Sequence, residues 1–92
     1  MSSPIDQIKD RLDIVEVING YVRLKKSGDR HTGLCPFHTE RTPSFTVTQE
    51  KQMWYCFGCG QGGDLFTFIE KIENIEFADA LRLLAEKAGI KL

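Results

Sequence analysis

Two short groups of metal-ligand residues constrain this chain more than any other feature of its sequence. Cys35 and His38 form a C-x2-H pair, and Cys56 and Cys59 form a C-x2-C pair. Two-residue spacing lets a tight turn aim both side chains at one cation, and Gly58 is expected to supply the backbone freedom for that turn. Three thiolates and one imidazole favour tetrahedral Zn2+ over Mg2+ or Ca2+. Because four protein ligands leave no open position for a catalytic water, the sequence predicts one structural zinc ion.

The C-x2-C pair also fits a different chemistry, the reversible disulfide of a redox protein. That chemistry does not need Cys35 or His38, which the zinc interpretation uses. The chain has three cysteines and no secretory signal, so a disulfide framework explains them poorly. His31 is a further candidate ligand, but the two pairs already complete a tetrahedral site, and we expect His31 on a strand surface.

The length of the chain indicates why it needs a metal. With 92 residues it has room for a single domain, predicted to span 1–92, and a core of that size is marginal on its own. Structural zinc supplies roughly 10 to 16 kcal/mol of apparent free energy at neutral pH, comparable to the stability of a whole domain. The longest apolar run, Met53 to Phe57, is far shorter than the ~18 residues of a membrane span. We therefore expect no membrane contact and a cytoplasmic location.

Helical patterns are found at both ends of the chain. Ser3 is a predicted N-cap of the first helix, and Asp13 is a predicted N-cap of the second. A third helix is predicted after Gly62-Gly63-Asp64. The last helix is predicted to end at Gly89 and to bury one apolar stripe, formed by Phe77, Leu81, Leu84 and Ala88.

The centre of the chain has the period-two pattern of β-strands. Two predicted strands, 21–25 and 30–34, flank the turn 26–29, and two more, 44–48 and 53–57, flank a second turn. Apolar and polar side chains alternate along these segments, which indicates a sheet with one exposed face. The sequence therefore predicts an α+β fold, a small antiparallel β-sheet flanked by short helices.

No set of residues predicts catalysis by this chain. No serine lies in a nucleophile-elbow motif, and no carboxylate pair is placed to hold two Mg2+ ions for nucleotidyl transfer. The densest acidic group lies beside apolar helix stripes, which is typical of a solvated helix face; it consists of Glu70, Glu73, Glu76 and Asp79. We therefore expect no catalytic residue.

Basic side chains are concentrated in the middle of the chain. Residues 21–60 hold six basic and three acidic side chains, and the basic ones near the predicted hairpins are Lys25, Lys26, Arg30, Arg41 and Lys51. Trp54 and Tyr55 add flat aromatic surfaces, and hydrogen-bonding groups come from Ser44, Thr46 and Gln52. Single-stranded nucleic acid binds such surfaces through phosphate neutralisation and base stacking. The pattern also fits a plainer interpretation, with Trp54 in the core and the lysines keeping a sheet edge soluble.

Several short motifs, in order, resemble the N-terminal zinc-binding domain of bacterial replicative DNA primases of the DnaG type. The motifs are Gly33-Leu34-Cys35-Pro36-Phe37-His38, Thr42-Pro43-Ser44-Phe45, Lys51-Gln52, Cys56-Phe57-Gly58-Cys59-Gly60 and Gly63-Asp64. The resemblance covers nearly the entire chain. It departs from the family pattern at Tyr55, often His or another basic residue, and at His31, often aromatic.

The resemblance implies a zinc-ribbon fold, binding of single-stranded template DNA, and membership of an enzyme that makes short RNA primers for replication. It implies zinc ligation by Cys35, His38, Cys56 and Cys59. It also implies template contacts by Arg41, Ser44, Lys51 and Gln52, supported by Lys25, Lys26 and Arg30. In that family a separate, Mg2+-dependent domain carries the polymerising centre and a further region binds the replicative helicase. The chain is therefore expected to be the N-terminal fragment of a longer primase.

Two other functions remain open at this point. One is a zinc-stabilised module that docks a protein partner, such as the catalytic domain of its own or a neighbouring primase, through Phe66, Phe68 and Trp54. The other is the zinc domain of a phage or plasmid primase-helicase. The preferred initiation sequence, action in cis or in trans, and the oligomeric state do not follow from the sequence.

Overall fold

The chain folds into an antiparallel sheet with helices against one face. The computed structural model describes residues 3–39 and 41–92. Within these ranges the helices are α1 (Pro4–Arg11), α2 (Ile14–Asn19), α3 (Leu65–Glu73) and α4 (Phe77–Ala88). The strands are β1 (Lys25–Ser27), β2 (Arg30–Gly33), β3 (Phe45–Thr48), β4 (Met53–Cys56) and β5 (Gly62–Gly63), paired in that spatial order. The predicted α+β class is confirmed.

The helices begin where the sequence predicts, because each predicted cap is used. The Ser3 hydroxyl accepts from the Asp6 N–H at 3.2 Å, and the Asp13 carboxylate accepts from the Val15 N–H at 3.2 Å. Asp64 caps α3 by accepting from the Thr67 N–H at 3.0 Å. α4 ends at Gly89, whose φ of 71° lies in the left-handed region that suits glycine.

The buried stripe of α4 differs from the prediction. Phe77 is 42% exposed, and the residues buried on this helix are Ala80, Leu84 and Ala85. The stripe is rotated toward two alanines because α4 packs against both α1 and α3, and small side chains allow the helix axes to approach closely. The prediction holds at Leu84, and Leu81 and Ala88 are half-buried against the core, so among the four predicted residues it is wrong at Phe77.

The first hairpin is shorter than predicted. β1 begins at Lys25 instead of Tyr21, and the turn contains only Gly28 and Asp29, with Gly28 at φ 66°. The preceding residues leave the sheet to cover the core: Val22 is buried, and the Tyr21 ring meets Phe68 edge-on with centroids 5.7 Å apart. Burying this apolar segment lowers the free energy of the fold by more than extending an exposed edge strand would.

A fifth strand is present where the sequence predicted only a loop. Gly62 and Gly63 pair with Tyr55 and Trp54 of β4. Glycine is depleted in strands, so no propensity signal marks these residues. A Cβ atom on Gly62 would lie 2.8 Å from the Tyr55 ring and 2.9 Å from the Trp54 carbonyl oxygen. A Cβ atom on Gly63 would instead lie 2.8 Å from Cβ of Thr67 in α3. Gly62 is therefore needed because the chain passes close to β4, and Gly63 because it passes close to α3.

The core lies between the inner sheet face and the helices, with Trp54 at its centre. Trp54 is 2% exposed, its ring is stacked on Phe45 with centroids 5.5 Å apart, and its Nε1–H donates to the Asp64 carbonyl at 2.9 Å. Phe66 and Phe68 are 2% and 0% exposed. The predictions that Trp54 offers a flat binding surface, and that these three residues dock a partner, are therefore wrong. Within the described residues, no helix has the length and apolar character needed to cross a membrane.

Candidate metal centre and outer sheet face

The four predicted zinc ligands lie together at one end of the sheet. One ligand atom each from Cys35, His38, Cys56 and Cys59 lies within 4.8 Å of the other three. The Cys35 and Cys59 sulfurs are 4.0 Å apart, and none of the three cysteines is in a disulfide. Tetrahedral zinc with Zn–S bonds of ~2.3 Å separates neighbouring sulfurs by about 3.7 Å. The donor set and its spacing therefore fit a four-coordinate zinc site.

The sheet register explains why two pairs distant in sequence meet. Gly33 of β2, Phe45 of β3 and Cys56 of β4 are direct neighbours across the sheet. β2 and β4 lie on either side of the antiparallel β3, so both end at this edge and the segments that follow them start with one strand between them. Cys35 and His38 follow β2, whereas Cys56 is the last residue of β4 and Cys59 follows it. Pairing of the strands therefore brings the two ligand pairs together.

The turn that holds Cys56 and Cys59 is closed by backbone hydrogen bonds. The Gly60 N–H donates to the Cys56 carbonyl at 2.8 Å, and the Cys56 N–H donates to the Gln61 carbonyl at 2.8 Å. The residue with positive φ in this turn is Gly60, at 76°, and not Gly58 as predicted. The turn curls back after its second cysteine, which is where left-handed backbone is needed.

The cysteines differ in how readily they ionise. Burial raises the pKa of the Cys35 thiol to about 12. Burial also opposes ionisation of Cys56, but hydrogen bonds from the Ser44 hydroxyl and from the backbone N–H groups of Cys59 and Gly58 lower the pKa of its thiol to about 7. A coordinated divalent cation deprotonates its thiols outright, so the site suits metal binding despite the burial of Cys35.

The structure does not bring the seven predicted nucleic-acid contacts to one surface. Lys25 is paired with Thr32 across the sheet, and Arg30 is paired with Thr48. The side chains of these paired residues lie on the outer face of the sheet. Lys26 is paired with His31, which in turn is paired with Val47, and side chains at these positions belong to the inner face. Lys25, Lys26 and Arg30 are all exposed. Arg41 is exposed in the loop between His38 and β3. Only two of the seven therefore lie on the open face of the sheet.

Two of the remaining predicted contacts, Lys51 and Gln52, lie in the turn between β3 and β4. Lys51 is exposed in the β3–β4 turn, beside Lys9 on the helix side. The Gln52 amide accepts from the Ile14 N–H at 2.8 Å and donates to Asp13 at 3.1 Å, which joins the turn to α2. Burial opposes ionisation of Asp13, yet this bond and one from Gln49 hold its pKa below the ordinary value. DNA contact by these residues stays a prediction.

Two residues remain to be placed: Ser44, which directly precedes β3, and His31 in β2. The Ser44 hydroxyl oxygen lies 3.6 Å from the Cys56 sulfur, at the metal centre. His31 is half-buried in β2 and lies outside the four-residue cluster. His31 is paired across the sheet with the buried Val47, so its side chain points toward the inner face. The prediction that it lies on a strand surface is therefore wrong.

The outer sheet face carries an open groove with an aromatic wall. It has a volume of about 470 Å³ and is lined by residues that include Arg30, Thr46, Met53, Tyr55, Phe57 and Gly62; we call it the outer-face groove. Phe57 is 67% exposed, Met53 45% and Tyr55 44%, and the Tyr55 and Phe57 rings meet edge-on with centroids 4.9 Å apart. Clustered exposed aromatic and thioether side chains mark a binding surface more often than chance exposure does.

Phe57 is the groove residue that the sequence reasoning missed. It lies between the two cysteines of the C-x2-C pair, where an apolar residue was attributed to the end of a strand. The sequence did contain a signal for its exposure: Phe57 follows Tyr55 by two residues, and residues i and i+2 of a strand have their side chains on the same face.

Comparison with known proteins identifies the family. The model of the CHC2 zinc finger, the zinc ribbon of DnaG, matches residues 1–92. The chain belongs to this family. A zinc-finger family and a cluster of three cysteines and one histidine together support zinc binding by this chain.

Relatives of the CHC2 zinc finger are DNA primases. The chain is 54% identical over 88 residues to the DNA primase of Geobacillus stearothermophilus and 51% identical over 88 residues to that of Halalkalibacterium halodurans. These matches cover 96% of the chain but 15% of each primase. The fold superimposes with a TM-score of 0.94 and 46% identity on a crystal structure of the Aquifex aeolicus primase containing its zinc-binding and RNA polymerase domains. That match covers 100% of this chain and 23% of the Aquifex chain.

Proposed function

We propose that this chain is the template-recognition domain of a bacterial DNA primase and binds single-stranded DNA in the outer-face groove. The observation that carries the proposal is the exposed pair of rings, Tyr55 and Phe57, beside the guanidinium-bearing Arg30. Bases of a single strand stack on such rings, which contributes roughly 1 to 3 kcal/mol per base. A duplex keeps its bases stacked on one another, so the groove favours single strands.

Cations around the groove complete the proposed surface. Arg30 lines it and Lys25 lies on the same sheet face, which supports both as phosphate contacts for a strand whose bases stack in the groove. Arg41 and Lys51 lie outside the groove, and we propose them as phosphate contacts for a strand that extends beyond it. Few phosphates are neutralised by these side chains, so binding by the isolated chain is weak and sensitive to salt.

The rest of the proposal concerns the longer protein. Under it, the primase makes short RNA primers in the cytoplasm, and this chain forms a single domain over residues 1–92 without catalytic residues. The polymerising centre, with its Mg2+, and the segment that binds the replicative helicase belong to other parts of the primase. The Aquifex structure, which contains both a zinc-binding and an RNA polymerase domain, supports the arrangement. Zinc stiffens the sheet so that it presents template strand to the catalytic domain.

The test of the groove is a titration of fluorescently labelled single-stranded oligonucleotide, followed by anisotropy at two salt concentrations. Phe57→Ala is expected to weaken binding by about 1 to 3 kcal/mol because a stacking ring is lost. Arg30→Ala is expected to reduce the slope of log affinity against log salt by about one. Matched controls are Phe77→Ala and Arg82→Ala on α4, an exposed ring and an exposed guanidinium on the helix side. Parent affinity in Phe57→Ala would rule out the groove.

A second titration tests the peripheral cations. Arg41→Ala and Lys51→Ala are each expected to weaken binding and to reduce the salt slope by about one, with the zinc content unchanged. A variant with the same slope as the parent removes that residue from the contact surface while leaving the groove in place.

A further inference from the structure

Two side chains from outside the C-x2-C turn reach its sulfurs. The Ser44 hydroxyl oxygen lies 3.6 Å from Cys56 Sγ, and Gln61 Nε2 lies 3.4 Å from Cys59 Sγ. Both residues are half-buried and are fixed to the turn through their backbones. The Ser44 carbonyl accepts from the Phe57 N–H at 3.0 Å, and the Gln61 carbonyl accepts from the Cys56 N–H at 2.8 Å. Their side chains are therefore held in place by the same ladder that shapes the metal centre.

The chemistry of a zinc-bound cysteine determines the direction of these contacts. A ligating thiolate has no proton, so its sulfur can only accept. The Ser44 hydroxyl and the Gln61 amide must then donate. Three thiolates and a neutral histidine give a Zn2+ site a net charge of about −1. Each donated hydrogen bond offsets part of that excess negative charge on a sulfur.

We propose that Ser44 and Gln61 are positioning residues of the zinc centre, which donate hydrogen bonds to the Cys56 and Cys59 thiolates and thereby slow the release of zinc. Partners of metal ligands orient the ligands and tune their basicity, and their loss typically lowers metal affinity or activity by about 10- to 100-fold. The hydrogen bond from Gln61 has the larger effect on zinc release, because Cys59 is exposed whereas Cys35 and Cys56 are buried. Its amide covers the sulfur that solvent reaches most easily.

This assignment competes with the template contact expected for Ser44 from the sequence. A serine hydroxyl has one proton, and a proton donated to Cys56 is not available to a phosphate oxygen. Ser44 therefore acts on DNA binding only through the shape of the zinc centre. The inference stands on the zinc site alone and does not depend on DNA binding by the groove.

The first measurement is the rate at which the zinc-loaded chain transfers zinc to an excess of a chromogenic chelator. Ser44→Ala and Gln61→Ala are expected to release zinc about 10-fold faster than the parent. Ser44→Thr keeps the hydroxyl and is expected to retain the parent rate. Ser27→Ala removes an exposed hydroxyl from β1 and is the matched control.

The second measurement separates a hydrogen bond to sulfur from a general loss of stability. In the Co2+-substituted chain, removal of a donor raises the energy of the sulfur lone pairs, so the sulfur-to-cobalt charge-transfer band moves to lower energy. Ser44→Ala and Gln61→Ala are expected to shift the band, whereas Ser44→Thr and Ser27→Ala are not. If Ser44→Ala fails to fold, Gln61→Ala and Ser44→Thr still decide the outcome.

Three results overturn the inference. The first is that Ser44→Ala and Gln61→Ala both release zinc at the rate of the parent and both leave the cobalt charge-transfer band unshifted. Another is faster release in Ser27→Ala as well, which indicates general destabilisation. The third is a Ser44→Ala variant that binds single-stranded DNA more weakly while its zinc-release rate and cobalt band stay unchanged, which makes Ser44 a template contact.

Discussion

Single residues in this protein have roles that depend on which atoms their side chains reach. Gln52 was predicted to face DNA, but its amide joins the β3–β4 turn to the start of α2. Trp54 was considered both as a binding surface and as a core residue, and the structure places it in the core. Amides and aromatic rings suit either location, so their residue types alone do not decide between them.

Cys59→Ser is the sharpest test at the scale of one residue. A serine hydroxyl is a poor zinc ligand, so the site keeps only three ligands and the protein is expected to be largely unfolded. Zinc content and far-ultraviolet circular dichroism measure the result, and Ser27→Ala serves as a neutral control. A folded variant with full zinc content would contradict four-residue ligation.

At the scale of elements, the sheet determines both the metal centre and the groove. β2 and β4 end at the same edge of the sheet, on either side of β3, and the two ligand pairs lie at these ends. β5 forms the far side of the groove. α2 and α3 contact the inner face, which leaves the outer face open among the described residues. One face of the sheet therefore packs against the helices, and the other carries the outer-face groove.

Gly62→Ala tests the fifth strand. The added methyl group would lie 2.8 Å from the Tyr55 ring and 2.9 Å from the Trp54 carbonyl, so the strand or the ring must shift. We expect a loss of about 1 to 3 kcal/mol in unfolding free energy, measured by denaturant titration with zinc present. Weaker binding of single-stranded DNA is expected as well, because Tyr55 moves.

The control for this variant comes from a glycine with open space around it. A Cβ on Gly28 meets no atom within 4 Å, although its φ of 66° makes alanine costly for the turn itself. Gly28→Ala therefore reports backbone strain without a clash in the groove. Equal DNA affinity in Gly62→Ala and the parent would show that Tyr55 does not contribute to binding.

At the scale of the whole molecule, we expect both zinc and the hydrophobic core to contribute to the free energy of unfolding. The core joins all four helices to the sheet, yet a domain of 92 residues buries a limited apolar area. A zinc ion held by the four clustered side chains would join the ends of β2 and β4. Its contribution is on the order of 10 to 16 kcal/mol at neutral pH, similar to the stability of a whole small domain.

Removal of zinc is therefore expected to unfold the chain. Metal analysis should give one zinc per chain, and a strong chelator should abolish the cooperative thermal transition, with recovery when zinc is restored. Circular dichroism follows the change. A metal-free chain that retains its secondary structure and a cooperative transition would show that the core suffices.

The features that the sequence alone determined are local ones. Ligand spacing, helix caps and strand alternation each depend on residues within one turn or one strand, and these predicted the α+β fold, the two ligand pairs and three helix starts. Tertiary structure decided the features that need contacts across the sheet. It placed Trp54 inside and Phe57 outside, gave Ser44 and Gln52 internal partners, and made a strand of Gly62 and Gly63. The physical reason is that burial and hydrogen-bond partners depend on neighbours in space, which a local pattern does not specify.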